Sequence, residues 1–95
     1  MQEIFEGAVG QKIILDVDVD ISAATTRRIK YRRPDGTLSY WTATEETTTS
    51  ISYTTVAATD IPKGSDGIWK LQAYVVTPAW TNHGEVDRLL VKETL

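Results

Sequence analysis

Four features of this chain have the residue types and spacing to do chemistry: a string of aspartates, a basic run, one histidine and two adjacent glutamates. Asp16, Asp18 and Asp20 share the opening spacing of a calcium loop. Such a loop also needs a glycine at its sixth position and a bidentate glutamate at its twelfth. Counted from Asp16, those places hold Ile21 and Arg27. In an extended strand the three carboxylates stand roughly 6.5–7 Å apart in a row, too spread to converge on one ion. They read as a solvated stripe, and no metal site is expected.

The basic run is Arg27, Arg28, Lys30, Arg32 and Arg33, with Tyr31 inside it. Cations interleaved with aromatics serve single-stranded nucleic acids. The chain as a whole carries a net charge of −3, however, and strand alternation turns Tyr31 inward, so nucleic acid is not the expected partner. If the basic strand neighbours the acidic one, cross-strand pairs between the two stripes would contribute roughly 0.2–1 kcal/mol each. His83 is the single histidine, beside Asn82 and Gly84. Glu45 and Glu46 are adjacent, and neighbouring strand residues face opposite sides. There is no Gly-x-Ser-x-Gly elbow, no paired-histidine motif and no phosphate-cradling glycine loop. The chain reads as a non-enzyme with no cofactor.

These residues must be positioned by strands. Across residues 12–20, Ile13, Leu15, Val17 and Val19 alternate with Ile14, Asp16, Asp18 and Asp20, the period-two pattern of a sheet with one wet face. Residues 26–33 alternate again, with Ile29 and Tyr31 inward and Arg28, Lys30 and Arg32 outward. Pro34-Asp35-Gly36-Thr37 then marks a turn, because proline presets φ and glycine accepts a positive one. Residues 38–46 and 48–56 read as two strands joined by a short hairpin at residues 45–47. Residues 57–67 form a crossing loop, and 68–76 the most apolar strand. Residues 77–84 read as a second loop, opened by Pro78 and closed by Gly84, and 86–92 as the last strand. A short edge strand is expected at residues 3–6. Six or seven strands with turns every ten or so residues indicate an all-β, immunoglobulin-like antiparallel sandwich, one domain over residues 1–95.

Leu15, Val17, Ile29, Trp69, Leu71, Ala73 and Val75 are the expected core. Trp69 and Leu71 stand where an immunoglobulin-like domain places its corner tyrosine and, two residues on, its inward cysteine. Trp41 belongs with this core and corner set. Trp80, in a polar stretch between Pro78 and Gly84, either closes the core or meets a partner, since tryptophan is enriched at interfaces. Leu89, Leu90 and Val91 leave the same choice open. The candidate interface residues are therefore Trp80, His83, Leu90 and Pro78.

Composition narrows the setting. Ninety-five residues and a 41% hydrophobic share suit one small folded domain. No cysteine is present, so neither a disulfide nor a thiolate zinc site is open to the chain, and it can fold in a reducing cytoplasm. No apolar run approaches the ~20 residues of a membrane span. The acidic N-terminus is not expected to act as a secretory signal.

The segments Ile21-Ser22-Ala23-Ala24-Thr25, Ile29-Lys30-Tyr31-Arg32-Arg33-Pro34-Asp35-Gly36-Thr37, Tyr40-Trp41-Thr42-Ala43-Thr44 and Gly67-Ile68-Trp69-Lys70-Leu71-Gln72-Ala73-Tyr74-Val75 resemble small tailed-bacteriophage virion proteins. These have immunoglobulin-like folds akin to the N-terminal domain of phage baseplate upper proteins, and the resemblance runs over roughly residues 11–92. It implies an attachment module of the tail, baseplate or capsid. Because the longer C-terminal region of a baseplate upper protein does not follow, the expectation is a small accessory protein, either a tail or baseplate adaptor or a capsid decoration protein. Its partners would be virion structural proteins or further copies of itself, and its place the virion, assembled in the host cytoplasm. The alternative is a freestanding ligand-binding module, for example for carbohydrate, with Trp80 as the stacking platform.

Overall fold

The computed structural model describes residues 2–95, and its regular structure is all strand. Eight strands follow in order: β1 (Gln2–Phe5), β2 (Lys12–Asp16), β3 (Thr26–Arg32), β4 (Leu38–Thr42), β5 (Thr44–Thr47), β6 (Ser50–Thr54), β7 (Gly67–Val76) and β8 (Thr81–Lys92). They form a larger sheet of five strands, ordered β1-β8-β7-β3-β4, and a smaller one of three, ordered β2-β6-β5. All pairings are antiparallel except β1 with β8. The two sheets face each other as a sandwich, with Leu15, Ile51, Ile29, Trp69, Leu71 and Val75 fully buried between them. Every residue of the expected core is buried.

An aromatic wall joins the sheets. Trp41 of β4 stacks on Tyr53 of β6 at 5.2 Å between ring centroids, and Tyr31 bridges Trp41 and Trp69 at 4.5 and 5.2 Å. The Tyr53 hydroxyl donates to Asp60, whose carboxylate also accepts the Val56 and Ala57 amides. Burial, reinforced by the Asp60 charge, pushes the Tyr53 phenol up to about 12.

The turn at residues 33–37 forms as expected. The Gly36 amide donates to Arg33, the Arg33 amide donates to Thr37, and Gly36 takes a φ of 92° that only glycine adopts freely.

Four expectations need correction. There are eight strands rather than six or seven. The run of residues 12–20 stays extended only to Asp16, because Asp18 turns left-handed with φ 63°, a conformation Asp tolerates better than most residues. Val17 remains buried, but the break in period swings Val19 outward to 37% exposure. Asp20 then accepts both the amide and the hydroxyl of Ser22 in a local turn.

The single strand expected at residues 38–46 is two strands in different sheets. The chain crosses at buried Ala43, whose amide still bonds Arg27 of β3 while Thr44 already pairs with Ser52. A small side chain permits this crossing, and apolar and polar residues still alternate from Trp41 to Thr44.

The loop expected at residues 77–84 is only a tight turn. Thr77 closes it by accepting the Ala79 and Trp80 amides on its hydroxyl, and Thr81, Asn82 and His83 already pair with β7. Opposite Ala73, β8 places two residues, Gly84 and Glu85, a bulge that shifts the register. A side chain at Gly84 would press on Ala73 at 3.3 Å, so glycine here serves close packing.

Candidate functional site

Strand alternation sorts the charged residues by face. With Ile29 and Tyr31 buried, Arg28, Lys30 and Arg32 of β3 point out from the larger sheet. Register then sets neighbours beside them. Arg32 lies level with Leu38 on β4 and Lys70 on β7, and Lys70 with Arg88 on β8. Lys30 lies level with Tyr40 and Gln72, and Gln72 with Val86. Arg28 lies level with Tyr74, which pairs with His83.

The chain has ten lysines and arginines. Half of them, Arg28, Lys30, Arg32, Lys70 and Arg88, thus share this outer face. Among the described residues none of these cations is in an ion pair; the pairs are Lys12–Glu46, Arg27–Glu45 and Lys92–Glu3.

The aromatics on this face hold the cations in place. The Arg28 guanidinium lies 4.3 Å from the Tyr40 ring centre, and the Lys30 ammonium 4.4 Å from that of Tyr74. His83 meets Tyr74 edge-on and its Nε2 is 3.2 Å from Lys30 Nζ. Between β4 and β8 the face forms an open groove of about 1060 Å³. Leu38, 67% exposed, and Val86, 58% exposed, flank its cationic floor. Asp87 lies level with buried Leu71, so alternation turns its side chain away from this face, and its carboxylate accepts the Arg88 amide.

The sequence-derived candidates divide between two places. His83 and Leu90 lie on this outer face, Leu90 level with exposed Ile68. Pro78 is exposed at the opposite end, in the β7–β8 turn. Trp80 is half-buried, packed against the core on one side and lining a shallow recess with Val19, Asp20 and Asn82 on the other. Trp69, Leu71 and Trp41 are buried, and the Trp69 indole N–H donates to the Ser65 carbonyl at 2.7 Å, tying the crossing loop to β7. Sequence reading missed Lys70, Arg88, Tyr40 and Tyr74 as partners of the basic run. Their outward places in the alternation were visible, but their adjacency depends on strand order.

The acidic stripe does not face the basic one, because β2 and β3 belong to different sheets. The three aspartates also follow three different local conformations, with Asp20 occupied by Ser22. Calorimetric titration with calcium should therefore show no saturable heat, and chelator should leave the melting temperature unchanged. A stoichiometric micromolar site would overturn this reading. Glu45 and Glu46 are likewise spoken for separately, Glu45 by Arg27 and Glu46 by Lys12 and Ser52.

In comparisons with known proteins, the chain matches no family model and no curated protein.

Proposed function

We propose that this chain is a non-catalytic attachment domain of immunoglobulin-like type, docking onto another protein through the outer face of its larger sheet. The strand order supports the immunoglobulin-like part. Lettered in chain order with β4 as C′, the sheets read A-G-F-C-C′ and B-E-D, the grouping of such sandwiches with the first strand moved to the G edge. The Trp69–Ser65 bond stands in the place of the corner tyrosine.

The observation that carries the function is the composition of the outer face. Among the described residues, arginines without an ion pair lie together with tyrosines, the two types enriched at protein interfaces, beside lysines and exposed Leu38, Ile68 and Val86. Edge pairing is a weaker route. The Gln2 side-chain amide both donates to and accepts from the Ile14 backbone, plugging the free edge of β2, and the bulge interrupts β8.

The resemblance to tailed-phage proteins supports a virion as the setting, with the chain as a tail or baseplate adaptor or a capsid decoration protein. Mass spectrometry of purified particles should find the chain. An Arg32→Glu/Lys70→Glu variant should keep the parent melting temperature yet be lost from particles. Normal incorporation of that variant would remove this face from the function. The recess of about 450 Å³ at Trp80 favours the second reading, a carbohydrate-binding module. Glycan binding abolished by Trp80→Ala, with the face variant binding normally, would establish it instead.

A further inference from the structure

Resting on that reading of the outer face, we propose that the segment it binds is an extended stretch of a partner protein with acidic residues at every second position. Three observations converge. The first is repeat length. Arg28, Lys30 and Arg32 recur every second residue of β3, about 6.6–6.8 Å apart. An extended segment with acidic residues at every second position carries its carboxylates at the same interval, so several pairs form in one register.

The second is what flanks the cations. Leu38 and Tyr40 on one side and Val86 on the other are exposed apolar surface bordering the groove. The methylene stems of the acidic side chains can lie on this apolar border, which has no counterpart in a purely ionic ligand such as inorganic phosphate.

The third separates a protein segment from a single-stranded nucleic acid, the other polymer with regularly repeated negative charge. Nucleic-acid platforms leave aromatic faces free for bases. Here the rings serve the cations. Arg28 lies over Tyr40, and Tyr74 carries Lys30 while the edge of His83 abuts it. A guanidinium seated on a ring keeps its N–H edge free and pre-oriented for a carboxylate. The face therefore presents donors where a base would need an open ring.

The test uses the intact protein and two probes of matched length, a fluorescent nonapeptide of alternating aspartate and valine and a thymidine nonanucleotide. The peptide should bind saturably, more tightly than the nucleotide, and more weakly as salt rises. Amide shifts on titration should centre on β3, β4 and β7. Arg32→Glu/Lys70→Glu should weaken binding about tenfold or more, whereas Lys63→Glu, in the crossing loop and outside the groove's lining, should leave it unchanged. Tighter binding of the nucleotide would assign the face to nucleic acid and overturn the proposal. So would self-association of the protein that the peptide displaces, which would place a second copy there. If the peptide fails to bind while the face variant is still lost from particles, the partner chemistry is wrong but the attachment reading stands. If the variant is incorporated normally, the attachment reading itself fails.

Discussion

Replacing Trp69 by alanine should destabilise the domain by about 3–5 kcal/mol, the usual range for deleting a large buried ring. The indole is fully buried, packs on Tyr31 and Trp41, and is covered on its outer side by the Arg33 guanidinium 5.4 Å from its centre. Its loss opens a cavity where both sheets and the crossing loop meet. It also leaves the Ser65 carbonyl without its donor. Small domains have only roughly 5–15 kcal/mol of stability, so the variant should be unfolded or close to it at physiological temperature.

Trp69→Phe separates the two contributions. It keeps most of the ring and forfeits the bond to Ser65, and should lose about 1–3 kcal/mol. Chemical denaturation of both variants reads these values. An alanine variant melting within a few degrees of the parent would show that the ring is not central. Equal losses for the two variants would place the whole effect in the hydrogen bond.

The second large effect is expected at Glu6, which the sequence did not single out. It is a buried carboxylate just after β1, and it gathers three distant backbone amides. Thr94 donates to Oε1, and Gly64 and Asp66 donate to Oε2 at 2.6 and 3.2 Å. One side chain thus ties the N-terminal strand, the crossing loop and the C-terminal segment together. The Thr94 amide, set against partial burial and helped by the Gly64 and Asp66 amides, holds its carboxyl below the ordinary value of 4.5.

The direction of the pH effect follows from that depression. The stabilisation is fully present above the unfolded-state value and is lost as pH falls through the lower folded-state value. Denaturation midpoints measured from neutral pH downward should therefore drop in the acid range. Glu6→Gln should be less stable at neutral pH and show a shallower acid limb, because its amide cannot titrate and offers only one acceptor oxygen. A variant matching the parent at both pH extremes would show that the clamp contributes nothing.

The alternation of residues 68–76 determined the central strand and its buried side by itself. With one face of that segment entirely Trp69, Leu71, Ala73 and Val75, a shift of one residue would bury Lys70 and expose Trp69. The turn at Gly36 was equally legible, since its residues impose local backbone geometry without help from distant parts of the chain.

Other features depend on what lies beside a segment, which its own residues do not encode. Apolar and polar residues still alternate from Trp41 to Thr44 across the crossing at Ala43, so only the two competing sheets reveal it. Asn82, His83 and Gly84 have loop-like types, yet β7 offers free backbone groups and the bulge absorbs the misfit. Nothing in the sequence marks Glu6, because its partners at residues 64, 66 and 94 are brought to it only by the fold. The outer face was half legible. The sequence determined that Arg28, Lys30 and Arg32 point one way, because period two is a local property of an extended chain. Only the order β8-β7-β3-β4 decided that Arg88, Lys70 and Tyr40 stand beside them, because strand neighbours are chosen by the packing of the whole sandwich.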